Sequence, residues 1–97
     1  MKNQLRIYMI KPGEMKDWIE EWSAHLVPLR KKYGFEVVGS WTIDGEDRFV
    51  WIVGYKGPKS WEEAEADYYG APERKGITPD PARHLASHEQ HLMSPAV

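Results

Sequence analysis

The sequence predicts an α+β domain in the order strand, helix, strand, strand, helix, strand. This is the split βαβ (βαββαβ) arrangement, a four-stranded antiparallel sheet with both helices on one face. Three observations lead there. Residues 35–43 and 48–55 are β-branched and aromatic runs on either side of Asp44-Gly45-Glu46-Asp47, whose Asp-Gly pair tolerates the positive φ of a tight hairpin turn. Residues 5–10 alternate as a strand does, and a long stripe of apolar residues at helical spacing follows them. A capping pattern at residue 60 opens a second, shorter helix. The 97 residues make a single domain (1–97), large enough to fold alone but short of helix to cover both faces of a sheet.

In the first strand Leu5, Ile7 and Met9 point to one side and Arg6, Tyr8 and Ile10 to the other; Lys11-Pro12-Gly13 ends it. A helix is expected over 14–33, where Met15, Trp18, Ile19, Trp22, Leu26, Leu29 and Tyr33 form one stripe and Gly34 stands where a left-handed cap belongs. Pro28 removes a backbone donor from that helix, so a bend or two shorter pieces are expected.

An even hairpin loop would put Phe35, Val37, Trp41, Ile43, Val50 and Ile52 on one face, read as a plain core face. Glu36, Val38, Ser40, Thr42, Phe49, Trp51, Val53 and Tyr55 would then share the other, whose mixture of aromatics, hydroxyls and a carboxylate suits a wet cavity or a partly polar interface. Ser60-Trp61-Glu62-Glu63 is a capping box opening a helix that buries Trp61, Ala64 and Tyr68 and stops at Gly70-Ala71-Pro72. Residues 73–81 are polar and proline-rich, a loop suited to act as a lid, and Asp80-Pro81 can start a turn or two of helix. Residues 85–93 are the fourth strand by position and spacing.

Composition removes several function classes. A formal net charge of -2 gives no electrostatic reason to expect nucleic acid or an anionic membrane as partner. There is no cysteine for disulfides, thiolate catalysis or iron-sulfur ligation. No apolar run has the length of a signal peptide or a membrane span, so a soluble, cytoplasmic protein is the expectation. No phosphate-cradling glycine loop, Gly-x-Ser-x-Gly elbow or basic stripe is present.

The residues suited to chemistry are few. On the helical stripe of Trp18, Trp22 and Leu29, His25 is expected to aim an imidazole between helix and sheet as a general acid or base; the plainer reading pairs it with Glu21 at the surface. Arg6 and Tyr8 share a strand face and together suit a carboxylate or enolate oxygen, the alternative being an ion pair of Arg6 with Glu36. Trp22, Trp41, Trp51 and Tyr68 can stack on a flat ligand or simply fill the core. Near the end stand His84, His88 and His91, with Glu89. On a helix the three imidazoles would share a face as metal ligands do; on the strand expected here His91 points away, so no metal is expected, although His88 alone can reach a pocket.

A split βαβ sheet leaves one face bare, and a face of large apolar side chains is covered most economically by its own copy, which predicts a homodimer. The chain also resembles the NIPSNAP-like group of the dimeric α+β barrel superfamily, a ferredoxin-like fold. The matching pieces are Leu5-Arg6-Ile7-Tyr8 leading into Lys11-Pro12-Gly13, Leu29-Arg30 through Gly34, Val38-Gly39-Ser40-Trp41 and Phe49-Val50-Trp51 with Tyr55. Asp67-Tyr68-Tyr69 with Pro72-Glu73-Arg74, and Leu92-Met93-Ser94-Pro95, complete them. The resemblance implies fold and dimerisation and transfers no catalytic residues. Similar barrels include cofactor-free oxygenases, polyketide cyclases, lactone isomerases and haem-degrading oxygenases, with pockets between sheet and helices.

The expectation is therefore a protein that binds a modest, aromatic or polyketide-like molecule between sheet and helices. As an enzyme it would use no cofactor, His25 or His88 moving a proton while Arg6 and Tyr8 hold the developing oxyanion, in an isomerisation, cyclisation or oxygenation. The alternative is a non-catalytic ligand-binding or interaction module, and a third reading is haem binding at a cavity histidine.

Overall fold

The computed structural model describes residues 1–97. Its elements are β1 (Lys2–Ile10), α1 (Met15–Glu21), a π-helical turn (Trp22–Leu26), α2 (Val27–Lys32), β2 (Phe35–Thr42) and β3 (Arg48–Tyr55). There follow α3 (Trp61–Gly70), α4 (Pro72–Lys75), a 3-10 turn (Pro81–His84) and β4 (Leu85–Met93). The four strands form one sheet in the order β2-β3-β1-β4, antiparallel throughout. This is the predicted α+β topology, and β4 spans the predicted residues. No helix is long and apolar enough to cross a membrane.

Local chemistry sets the ends of the elements. Gly34 (φ 90°) closes α2 in the left-handed conformation, and Gly45 (φ 76°) turns the β2–β3 hairpin. The Ser60 hydroxyl accepts from the Glu63 backbone N–H at 3.1 Å, the first half of the predicted capping box; the Glu63 carboxylate accepts from that same hydroxyl rather than from the Ser60 backbone N–H. Asp80 caps the 3-10 turn by accepting from the Ala82 N–H at 2.9 Å.

The first helical segment departs from expectation in an instructive way. Pro28 does not break it; the turn before Pro28 widens instead, with the Val27 N–H reaching back five residues to the Trp22 carbonyl. A π turn holds one residue more than an α turn, so every later side chain is set back by about 100°. Four-residue steps overshoot an α turn by about 40° each, and three such steps are thereby brought back into line. Trp18, Trp22, Leu26 and Arg30 are the buried residues of this segment, while Met15, Ile19, Leu29 and Tyr33 pack at its margins.

The hairpin also needs correction. Thr42 pairs with Phe49 and Trp41 with Val50, the even register expected, but pairing then jumps from Gly39–Ile52 to Val37–Val53. Val38 is the extra residue of a β-bulge, and it reverses the parity of the strand beyond it. Phe35 and Val37 thereby join Phe49, Trp51, Val53 and Tyr55 on the face that the helices cover, and that face is the core. Trp41, Ile43, Val50 and Ile52, predicted as core, are not in it; Trp41 is 53% exposed. Its indole lies across Gly39, where an added Cβ would come within 2.7 Å of the ring.

Between sheet and helices the core is aromatic and edge-on: Trp22 meets Phe49 at 4.9 Å and Trp51 at 5.4 Å between ring centres, at 70° and 73°. The opposite sheet face carries Leu5, Ile7, Met9, Val50 and Ile52, none covered by a helix and all half-buried.

Candidate functional site

A cavity of about 300 Å³ opens between the helix-facing side of the sheet and the segments α1 to α4. Its sheet side is built by strand alternation. Gln4, Arg6 and Tyr8 occupy the inward positions of β1, Trp51 stands opposite Arg6 on β3, and Gln90 and His88 stand opposite Arg6 and Tyr8 on β4. The helical side supplies Trp18, Trp22, Leu26 and Arg30, the stripe aligned by the π turn, while α3 supplies Glu65, Tyr68 and Tyr69.

At its centre lies a dense polar cluster. Arg6, 1% exposed, donates from Nε to Gln4 Oε1 at 2.8 Å, from Nη1 to the Tyr8 and Tyr69 hydroxyls at 3.0 Å each, and from Nη2 to Glu65 Oε2 at 2.8 Å. Arg30, 2% exposed, donates to the other Glu65 oxygen and, at 3.1 Å, to the same Tyr69 hydroxyl. Its guanidinium also lies 3.9 Å from the centre of the Tyr68 ring. Two phenol oxygens thus accept from guanidinium groups, which leaves their O–H protons free to be donated to a third group.

Electrostatics follow from this arrangement. Burial alone would lower the pKa of Arg6, but the Tyr8, Tyr69 and Glu65 oxygens around it outweigh that and raise it, so it stays a cation. Burial raises the Tyr68 phenol, against the pull of Arg30 and Arg74, and keeps it neutral. Arg74 enters the wall from α4 and reaches Asp80 at 3.2 Å. The Nε of Arg74 and the indole N–H groups of Trp18, Trp22 and Trp51 are buried without a hydrogen-bond partner in the protein.

Of the residues singled out from sequence, Arg6, Tyr8, Trp22, Trp51, Tyr68 and His88 converge on this cavity. His88 stands at its mouth, exposed, with its ring 6.4 Å from that of Tyr8 and edge-on to it. Two others lie elsewhere. His25 is exposed on the outer side of the helix near Pro28 and Ile77, because the π turn rotates it off the stripe that an unbroken helix would have given it. Trp41 lies on the opposite sheet face, paired with Val50, where no helix covers it.

The ion pairs expected from sequence change as well. Glu36 is exposed on β2 and is separated from β1 by β3, so Arg6 pairs with Glu65 instead. Glu21 binds Arg83 and His84 rather than His25. His84 is buried, with Nδ1 2.7 Å from Glu14 and Nε2 2.9 Å from Glu21, tying the start of β4 to α1. Its pKa is raised, first by the bond to Glu21, while burial opposes and Glu14 adds to the rise. Glu21 is held down to about 2, by its bonds to Arg83 and then His84. His91 is exposed beside Glu89 at 3.2 Å, on the sheet face away from His88.

Arg30, Glu65, Tyr69 and Arg74 were not singled out from the sequence as site residues. The four-residue ladder Trp18, Trp22, Leu26, Arg30 was the available sign for the first. Glu65 and Tyr69 stand one turn apart on α3, each directly after a buried residue, Ala64 and Tyr68.

A four-stranded antiparallel sheet with helices on one face and an enclosed polar cluster between the layers defines an α+β protein of ferredoxin-like topology. The NIPSNAP family model matches residues 3–97, and the chain belongs to that family. An uncharacterized NIPSNAP domain protein from Burkholderia xenovorans has a similar structure, with a TM-score of 0.86 at 19% identity, over 99% of this chain and 95% of the other. A NIPSNAP family protein from Agrobacterium tumefaciens gives 0.84 at 20% identity, over 98% and 87%. A putative antibiotic biosynthesis monooxygenase from Nitrosomonas europaea gives 0.71 at 12% identity, over the whole of both chains. These likenesses carry the fold. No curated protein matches the chain.

Proposed function

We propose that the cavity binds a small aromatic or polyketide-like molecule and that the protein is a cytoplasmic, cofactor-independent enzyme moving a proton on it. The observation that carries this reading is the Arg6–Tyr8–Tyr69 group, which presents a fixed cation and two phenol protons beside aromatic walls. Such donors favour an enolate oxygen over a neutral carbonyl, because their interaction strengthens as negative charge develops. His88 is the base in this proposal, being the histidine at the mouth: it takes a proton from the carbon beside the carbonyl and returns it at another carbon. Isomerisation needs only that movement of a proton; in cyclisation the enolate carbon instead bonds to a second carbonyl carbon of the same molecule, whose C=O π bond breaks and whose oxygen takes the proton, and oxygenation adds dioxygen as oxidant.

The test is exchange of the α-protons of phenylacetone in D2O, followed by NMR. Acceleration over buffer that falls at least tenfold in His88→Gln supports the enzyme. The exposure of His88 favours the second reading, a non-catalytic ligand-binding or interaction module. Bound phenylacetone with no acceleration would establish that reading instead.

The bare sheet face belongs to the same proposal. Leu5, Ile7, Val50 and Ile52 form a continuous aliphatic patch there, since Leu5 pairs with Ile52 and Ile7 with Val50. A second copy presenting the same patch would cover it symmetrically and make the protein a homodimer.

A further inference from the structure

Resting on the reading of the cavity as a ligand site, we infer that its ligand is a monocarboxylate, seated by the guanidinium groups of Arg6 and Arg30. The argument is one of charge. Both groups are almost fully buried, at 1% and 2% exposure, and both bind one carboxylate, that of Glu65. Two buried cations with one anion leave one positive charge unmatched, and burial of an unpaired ion is heavily penalised. Stacking of Arg30 on Tyr68 offsets only part of such a penalty.

The third arginine of the wall, Arg74, is matched by Asp80, so the excess is a single charge. A carboxylate carries one, whereas a phosphate monoester carries about two at neutral pH.

Hydrogen bonding points the same way. The Tyr8 and Tyr69 hydroxyls accept from Arg6 and have protons left to donate. The indole N–H groups of Trp18, Trp22 and Trp51 are unpartnered donors on cavity-lining residues. Donors therefore outnumber acceptors around the space, as an acceptor-only group such as a carboxylate requires. The walls beyond the charge are aromatic, which suits a short acid with a flat apolar body.

The test compares 3-phenylpropanoate with 3-phenylpropanamide at fixed ionic strength, by calorimetry and by NMR of the indole N–H signals. The acid is expected to bind at least tenfold tighter than the amide. It should move the signals of Trp18, Trp22 and Trp51 and leave those of Trp41 and Trp61, which do not line the cavity, in place. In Glu65→Gln, which removes the internal counter-charge, acid affinity is expected to rise about tenfold while that of the amide stays within twofold. Equal binding of acid and amide, with the three cavity indoles moving, would overturn the inference and leave the cavity as a ligand site. Binding that moves only Trp41 or Trp61, or no binding by either compound, would overturn the inference and the site reading together.

Discussion

Arg6 on the central strand β1 and Glu65 on α3 meet at 2.8 Å across the space between the two layers, and the same carboxylate holds Arg30 from α2. One acidic side chain thereby fastens three elements at the centre of the cavity. Replacing Glu65 by Gln leaves two buried guanidinium groups without a counter-charge, for which about 3–5 kcal/mol of stability should be lost. Urea unfolding with and without 3-phenylpropanoate checks this: the loss should be smaller with the acid present, since binding to the folded state adds stability.

A second prediction concerns pH. The pKa of His84 is raised above its ordinary 6.5 by Glu21 and Glu14, so the stability it contributes is complete below about 6.5 and is lost as pH rises through the folded-state value. Glu21 is the opposite case: lowered from 4.5 to about 2, it contributes stability that is present above 4.5 and lost as pH falls toward 2. The clamp between α1 and β4 is strongest between these limits, at pH 4.5 to 6.5. Tm measured from pH 5 to 9 should show His84→Gln below the natural protein in acid, with the gap narrowing as pH rises. A constant gap would mean that His84 acts only through packing.

A third prediction addresses assembly. Ile52 lies at the middle of the bare sheet face, paired with Leu5. A charge there would be buried without a partner in a sheet-to-sheet dimer. Light scattering should give a dimer for the natural chain and a monomer for Ile52→Asp, with the far-ultraviolet circular dichroism unchanged. A monomeric natural chain at high micromolar concentration would remove the dimer from the account.

Tyr8 supplies a fourth. Tyr8→Phe keeps the edge-on contacts with Trp18 and Trp51, at 5.6 and 6.3 Å, and deletes the phenol that the proposed reaction uses as a donor to the developing oxyanion. Exchange of phenylacetone protons should slow tenfold or more with little change in affinity, because the lost interaction acts mainly in the transition state. Equal losses in rate and affinity would assign Tyr8 to binding alone.

The legibility of this structure from sequence divides along local and non-local lines. Gly34, Ser60 and Asp80 were readable because each acts on its own turn. The order of elements was readable because period-two and helical patterns are set within each segment. The side taken by Phe35 and Val37 was not, since a bulge shifts parity without changing composition, nor was the face of the hairpin that the helices cover, which packing decides. An isolated glycine inside a strand pattern, Gly39, was the bulge's visible mark. His25 and Arg30 lie where α-helical spacing does not put them for one shared reason: the π turn ahead of Pro28 sets the later residues back. Glu65 could not have been assigned to Arg6 without knowing that α3 packs over β1. The chemistry of the site was thus half legible, its strand half through Arg6, Tyr8 and Trp51, while the helical half waited on packing.

The most direct test of the cavity as the functional site is a crystal structure of the protein grown with 3-phenylpropanoate. The account predicts the phenyl ring among Trp22, Trp51 and Tyr68 and the carboxylate within hydrogen-bond distance of Arg6 or Arg30. A structure with the acid on the opposite sheet face, or with the cavity filled by its own side chains, would contradict it.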